Sequence, residues 1–296
     1  MHASPKIYVA KAGRLHRFWS LLRAAWVGTY EDGGFGVAKG AAYSALLAFF
    51  PVLTTLATLL VEANAEAVAR TVARLLYDVI PPGTEQVVQD LFNVHGQRPS
   101  SLLIVAILLA VWAGSGVMMS LMEGFRSIYR IPSGRSFLYE RSVAMLLVFG
   151  AALPALGASA LIVFNNRAQR LVISSIGLAS GDFDLRGWLQ LAGQGLSLGI
   201  AVCAMVVITA VVYYFGPNRK QTLRRVMPGA ALATVLWLLS TLAFGWYVRH
   251  IANYNVLYGS VGAGLALLVW MYVWSVIALF GCEFNAVRER RLNASQ

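Results

Sequence analysis

Six stretches of this chain are each long and apolar enough to cross a bilayer core, which takes about 20 residues of helix. They fall at 37–61, 101–125, 141–164, 188–215, 226–248 and 257–284. Lipid cannot satisfy the backbone of an open strand, so segments like these must be helices or the wall of a closed barrel. The period-2 alternation that a barrel requires is absent. The expected fold is an all-α integral membrane protein, with six transmembrane helices and additional interfacial amphipathic helices. Composition agrees with this. The chain is 58% hydrophobic and 12% charged, against about 25% charged residues in a soluble domain.

The formal charge of +11 has two readings, a nucleic-acid partner or a membrane topology. Its distribution decides between them. With the N-terminus inside, the inner segments hold 17 of the 24 basic residues, and the outer loops hold seven basic and seven acidic residues. The whole excess therefore lies on one side. That is the positive-inside pattern, so no nucleic-acid partner is expected and both termini are placed in the cytoplasm.

The chain divides into a cytoplasmic N-terminal segment (1–35), a six-helix transmembrane domain (36–287) with a structured outer loop (62–100), and a cytoplasmic tail (288–296). In the first segment, Leu15, Phe18, Trp19, Leu22 and Trp26 recur at helical spacing, flanked by Arg14, Arg17 and Arg23. This predicts an amphipathic helix over 14–27. It either lies on the inner membrane surface or packs onto the protein's own cytoplasmic face. The outer loop carries two shorter amphipathic patterns, around Val68–Val79 and Val87–Phe92, separated by Pro81-Pro82-Gly83. Organised loops of this length often act as lids or packing elements.

Candidate functional residues come from polar groups set among apolar ones. Pro51 sits mid-span in the first helix, with Lys39, Tyr43 and Ser44 before it and Thr54 and Thr55 after it. A proline there removes a backbone bond and bends the helix. Glu123, Arg126 and Arg130 share a helix face by their 3-and-4 spacing. Glu123 lies about 33 Å of helix rise from Ser101, and Glu283 about 36 Å from Gly259, so both acids are expected at the cytoplasmic border of the hydrocarbon. Arg126, Arg130, Arg141, Arg224 and Arg225 form an inner arginine belt suited to anionic headgroups. Tyr254, Tyr258 and Gly259 precede the sixth span, where the run Gly259-Ser260-Val261-Gly262-Ala263-Gly264 could serve as close packing or as a hinge. Cys203 and Cys282 are read as packing residues at different depths. No Cys or His stands at metal-ligand spacing, and no cofactor is expected.

Several short motifs occur in a characteristic order: Ala42-Tyr43-Ser44, Phe49-Phe50-Pro51, Trp112 with Gly114-Ser115, Glu123-Gly124-Phe125, Arg141, Pro228-Gly229-Ala230, Tyr258-Gly259-Ser260 and Gly281-Cys282-Glu283-Phe284-Asn285-Ala286. Together they resemble the YihY/virulence factor BrkB family of bacterial inner-membrane proteins, over roughly residues 20–290. The resemblance implies a six-helix inner-membrane protein. Members have carried the label ribonuclease BN and are associated with serum resistance and lipopolysaccharide export, which implies an envelope lipid or amphiphile as cargo. Glu123, Arg126, Pro228, Tyr258, Glu283 and Asn285 carry over as family-pattern residues of unassigned role. The sequence offers no metal-ligand cluster to activate water for phosphodiester cleavage, so no enzymatic activity is expected. The leading expectation is a transporter or flippase-like protein for a lipid or amphipathic solute. Its partners would be membrane lipids, with anionic headgroups at the inner leaflet and a second copy of the chain as candidates. The alternative is a non-transporting scaffold that organises envelope assembly through its amphipathic segments.

Overall fold

A computed structural model describes residues 14–62, 100–132, 136–151, 183–250 and 260–294. Among the described residues are seven helices and no strand. They are α1 (Arg14–Glu31), α2 (Gly34–Glu62), α3 (Ser100–Ile128), α4 (137–151), α5 (Phe183–Phe215), α6 (Leu223–His250) and α7 (Ser260–Ala294). Helices α2, α3, α5, α6 and α7 each contain a stretch long and apolar enough to cross a membrane. Helix α4 is the beginning of the third expected span. The all-helical membrane fold is the one the apolar blocks predict. Most of the outer loop lies outside the described residues, as do Tyr254, Tyr258 and Gly259.

The most extensive packing is between α2 and α3. Helix α7 packs on α2 and α6 and reaches α3, α5 packs on α6, and α1 lies against α7. The largest buried cluster holds Phe125, Ile128, Tyr213, Val226, Leu279 and Cys282 among small residues such as Ala38, Ala41, Ala230 and Ala233. Small residues let membrane helices approach closely, and van der Waals contact then takes the place of a hydrophobic driving force. This cluster sits at the end of the bundle that carries α1, called here the basal end.

The closest approach is between α6 and α7. A Cβ on Gly229 would collide with the carbonyl oxygen of Gly281, and one on Gly281 would stand 2.8 Å from the carbonyl oxygen of Gly229. Pro228 lies inside α6 beside this crossing and has no N–H to give. The amide of Asn285 covers this turn. Its Oδ1 accepts from the Gly229 N–H at 2.7 Å, and its Nδ2 donates to the Val226 carbonyl at 2.9 Å. Pro228 thus stands inside a continuous α6, and the Asn285 amide of α7 pairs with backbone groups on either side of it.

Helix α1 combines the two readings of the 14–27 segment. Its Leu21, Leu22 and Ala25 side pack against Phe280 and Phe284 of α7, while Leu15, Trp19, Trp26 and Tyr30 stay exposed along another face. The helix ends at Gly33, whose φ of +75° is the left-handed conformation that favours glycine at such a terminus. Helix α7 continues through most of the 288–296 segment, to Ala294. The extension is tied down on both sides. Glu289 takes Arg219 at 2.7 Å and Arg225 at 3.0 Å, and Arg291 donates to the Ser20 hydroxyl and carbonyl.

Candidate functional site at the basal end

Glu283 is fully buried in α7, at 0% exposure. The extension of α7 brings Arg290 onto the same helix face, two turns on, with its guanidinium 3.2 Å from Glu283 Oε1 and 3.8 Å from Asp32 Oδ2. Asp32 occupies the turn between α1 and α2 and shares the Arg290 guanidinium with Glu283. Arg130 approaches the other Asp32 oxygen at 4.0 Å. The turn is held by the Asp32 N–H donating to the Gly28 carbonyl at 2.8 Å and the Ser127 hydroxyl donating to the Asp32 carbonyl at 2.8 Å. Three elements thus converge on one buried carboxyl: the α1–α2 turn, the end of α3, and α7.

The cluster is incompletely satisfied. Asp32 Oδ2 and both Glu283 oxygens are buried without a hydrogen-bond donor. Arg290 sits within ion-pair distance yet directs its hydrogen bond to the Ile128 carbonyl at 2.8 Å, so its contact with the carboxyls is one of charge rather than of aligned donors. Ionised carboxyls only accept, and two of them in contact repel unless a proton lies between them. Two carboxyls are thus held against one guanidinium.

Beside it runs a cleft of about 590 Å³ between α1 and the end of α7. Ser20, Arg23, Glu31, Arg290 and Arg291 supply the polar part of the wall, with three bases to one acid, and Ala24, Val27 and Val287 supply an apolar part. The lining is amphipathic, and Arg290 belongs to both the cleft and the carboxyl cluster.

The expected site residues do not all gather here. Glu123 is exposed on α3 and makes no ion pair among the described residues. Arg126 instead bridges to Glu140 at the start of α4, at 2.7 Å. Arg130 leaves the shared helix face because α3 ends at Ile128 and Arg130 adopts a φ of 52°. The shared face of Glu123, Arg126 and Arg130 is thus corrected: the three point to different partners. The Arg141 guanidinium donates to the carbonyl of Trp112 at 2.9 Å and lies 4.0 Å from the centre of that ring. Tyr43 is exposed on α2. Pro51 lies within an unbroken α2. The Thr54 and Thr55 hydroxyls after it donate to the carbonyls of Phe50 and Pro51, so they are engaged along their own helix.

Asp32, Gly28, Glu140 and Arg290 were not singled out from sequence. Glu31-Asp32-Gly33-Gly34 reads as a turn, and Arg290 reads as one more cytoplasmic base. Only the i, i+7 spacing from Glu283 could have drawn attention to Arg290.

The model for the family described as virulence factor BrkB matches residues 25–296. The chain belongs to the virulence factor BrkB family. It is 29% identical over 251 residues to the putative ribonuclease-like protein YfkH of Bacillus subtilis (strain 168), covering 84% of this chain and 88% of that one. It is 27% identical over 249 residues to a UPF0761 membrane protein of Alkalilimnicola ehrlichii, covering 82% of this chain and 52% of the relative. A UPF0761 membrane protein of Azotobacter vinelandii is 25% identical over 281 residues, covering 93% and 65%. The chain thus spans between half and two thirds of the length of these UPF0761 relatives. No solved structure matches it.

For this BrkB-family chain, one short pattern bears on the ribonuclease-like name of the Bacillus relative. Gly195-Leu196-Ser197-Leu198-Gly199 matches the Gly-x-Ser-x-Gly of serine hydrolases, a match that the expectation of a non-enzyme passed over. It lies inside α5, whereas the hydrolase motif needs a sharp strand-to-helix turn to present its serine. Among the described residues, no three His, Cys, Asp or Glu are grouped to hold a metal ion.

Proposed function

We propose that the chain is a multi-pass protein of the bacterial inner (plasma) membrane, with both termini cytoplasmic, that moves an amphiphile with an anionic headgroup. The cargo class is a lipid or a similar envelope solute. Orientation is supported by the concentration of bases at the basal end, where Arg17, Arg23, Lys39, Arg219, Arg224 and Arg288 lie, since Lys and Arg are retained on the cytoplasmic side. The transport reading is carried by one observation: Arg290 lines the amphipathic cleft and also offsets the charge of the buried Glu283–Asp32 pair. An anionic headgroup entering the cleft competes for that guanidinium. Carboxyls left without it carry an uncompensated buried charge, which costs about 3–5 kcal/mol. The cluster must then take up a proton or open, so occupancy of the cleft changes how α1 sits on α7. The apolar part of the lining suits the proximal acyl chain, and the exposed face of α1 suits the headgroup layer.

The test is reconstitution into vesicles containing a headgroup-labelled anionic phospholipid, with dithionite added outside. Wild-type protein is expected to carry bleaching past the outer-leaflet share, and Arg290→Gln to slow it. Folded wild-type protein that moves neither anionic nor zwitterionic labelled lipids sinks the reading. A scaffold is the second reading, favoured by the exposed stripe of Leu15, Trp19, Trp26 and Tyr30. A scaffold retains a stoichiometric partner through purification and loses it on replacement of Trp19 and Trp26 by Ser. No hydrolytic step belongs to either reading.

A further inference from the structure

The Arg141 guanidinium reaches from near the start of its own helix to the middle of the apolar stretch Leu103–Ile128 of α3. Arg141 lies near the start of α4 (137–151). Helical side chains lean toward the N-terminus of their helix, and long cationic ones near a helix end turn to the adjacent headgroups. Arg141 runs the other way. Val148, seven residues and about 10 Å further along α4, packs 3.6 Å from the Cβ position of Gly114. The Arg141 guanidinium reaches that same level, donating to the Trp112 carbonyl at 2.9 Å and to Met119 Sδ at 3.2 Å. Trp112 is about 16 Å along α3 from Glu123, in the middle part of the apolar stretch Leu103–Ile128.

What holds the guanidinium there does not neutralise it. Its partners are a carbonyl dipole, the face of the Trp112 ring at 4.0 Å, and a thioether. Among the described residues no carboxylate pairs with it. Its Nε is buried and has no acceptor. The Trp112 carbonyl is further occupied by the Ser115 hydroxyl at 2.7 Å, which fixes the node to which Arg141 is tied. Trp112 itself is exposed on the outside of the bundle, so the guanidinium is open to a group approaching from the lipid side.

We propose that Arg141, positioned by Trp112, Ser115 and Met119, is a mid-span binding site for a phosphate-type oxyanion. An intramembrane cation with a spare donor and no counter-charge is completed by an anion that accepts from the fork and cancels its charge. The oxyanion is either a lipid headgroup or a free anion. The site goes beyond the transport reading, because it binds whether or not the bound group is moved.

Native mass spectrometry of the detergent-purified protein with equimolar phosphatidylglycerol and phosphatidylcholine reads the site directly. Wild-type protein is expected to retain phosphatidylglycerol in preference by about tenfold, as the loss of one charge-assisted contact implies. Arg141→Gln lowers the ratio severalfold, and Lys39→Gln, exposed on α2 and outside both the cleft and the Arg141 node, leaves it unchanged. A second measurement keeps Arg141 in place. The fluorescence contributed by Trp112, taken as wild type minus Trp112→Phe, is expected to change on adding phosphatidylglycerol or inorganic phosphate and not on adding phosphatidylcholine. A response to phosphatidylglycerol identifies the headgroup as occupant, and a response to inorganic phosphate alone identifies the free anion. No Trp112 response to either, or an Arg141→Gln protein that is folded and keeps the wild-type Trp112 response, overturns the proposal.

Discussion

Gly28 of α1 lies directly on the carboxyl of Glu283: a Cβ on Gly28 would stand 2.5 Å from Oε1 and 2.9 Å from Cδ. The glycine is what allows α1 to close over the buried acid. Gly28→Ala is expected to displace Glu283 or lift α1, and overpacking of this kind costs about 1–3 kcal/mol. A lowered melting temperature in detergent, with helicity retained, checks it. An unchanged melting temperature would show that α1 does not sit as closely as described.

Replacements of Glu283 should separate packing from charge. Glu283→Gln keeps the volume and supplies an amide that can donate to Asp32, so it should fold well. Glu283→Ala leaves Asp32 and Arg290 without their partner, at about 3–5 kcal/mol. A double-mutant cycle with Arg290→Gln, read by thermal denaturation, should give a coupling well above experimental error. Additive single effects would contradict the contact at 3.2 Å.

At the α6–α7 crossing, Asn285→Ala removes the partner of the Gly229 N–H and of the Val226 carbonyl. Each buried group left unsatisfied costs about 1–3 kcal/mol. Asn285→Asp keeps the acceptor and loses the donor, so it should fall between Ala and wild type only if protonated. Gly281→Ala drives a methyl into the Gly229 carbonyl and should be worse than Asn285→Ala in yield of folded protein.

The Arg126–Glu140 bridge pins the start of α4 to the end of α3. Either residue replaced by Gln should loosen this corner, and the charge swap Arg126→Glu with Glu140→Arg should recover stability lost by the single reversals. Protection of the 129–140 region in hydrogen exchange reports it.

Orientation has its own check. Cysteines placed at Arg17 or Lys220 should react with a membrane-impermeant maleimide only after the membrane is opened, and one at His250 should react in intact cells. The reverse pattern would invert the topology.

The helical blocks and the helical periodicity of α1 were legible because each depends on spacing along one segment. What was not legible depends on pairing between segments. Arg126 finds Glu140 across a turn rather than Glu123 on its own helix, because α4 folds back beside α3. Asp32 reads as a turn residue until α7 is laid against it. The direction in which the Arg141 side chain runs is set by α3. Pro228 and Asn285 were flagged only by resemblance, since the amide that pairs with one helix belongs to another.

Two backbones in contact at Gly229 and Gly281 leave no side-chain layer to slide or compress between them. Helix α7 is thereby divided at a fixed point into a short arm of about 20 Å toward Ala294 and a long arm of about 32 Å toward Ser260. The crossing therefore joins α6 and α7 into a single strut at that level, so that a displacement of either helix there carries the other with it.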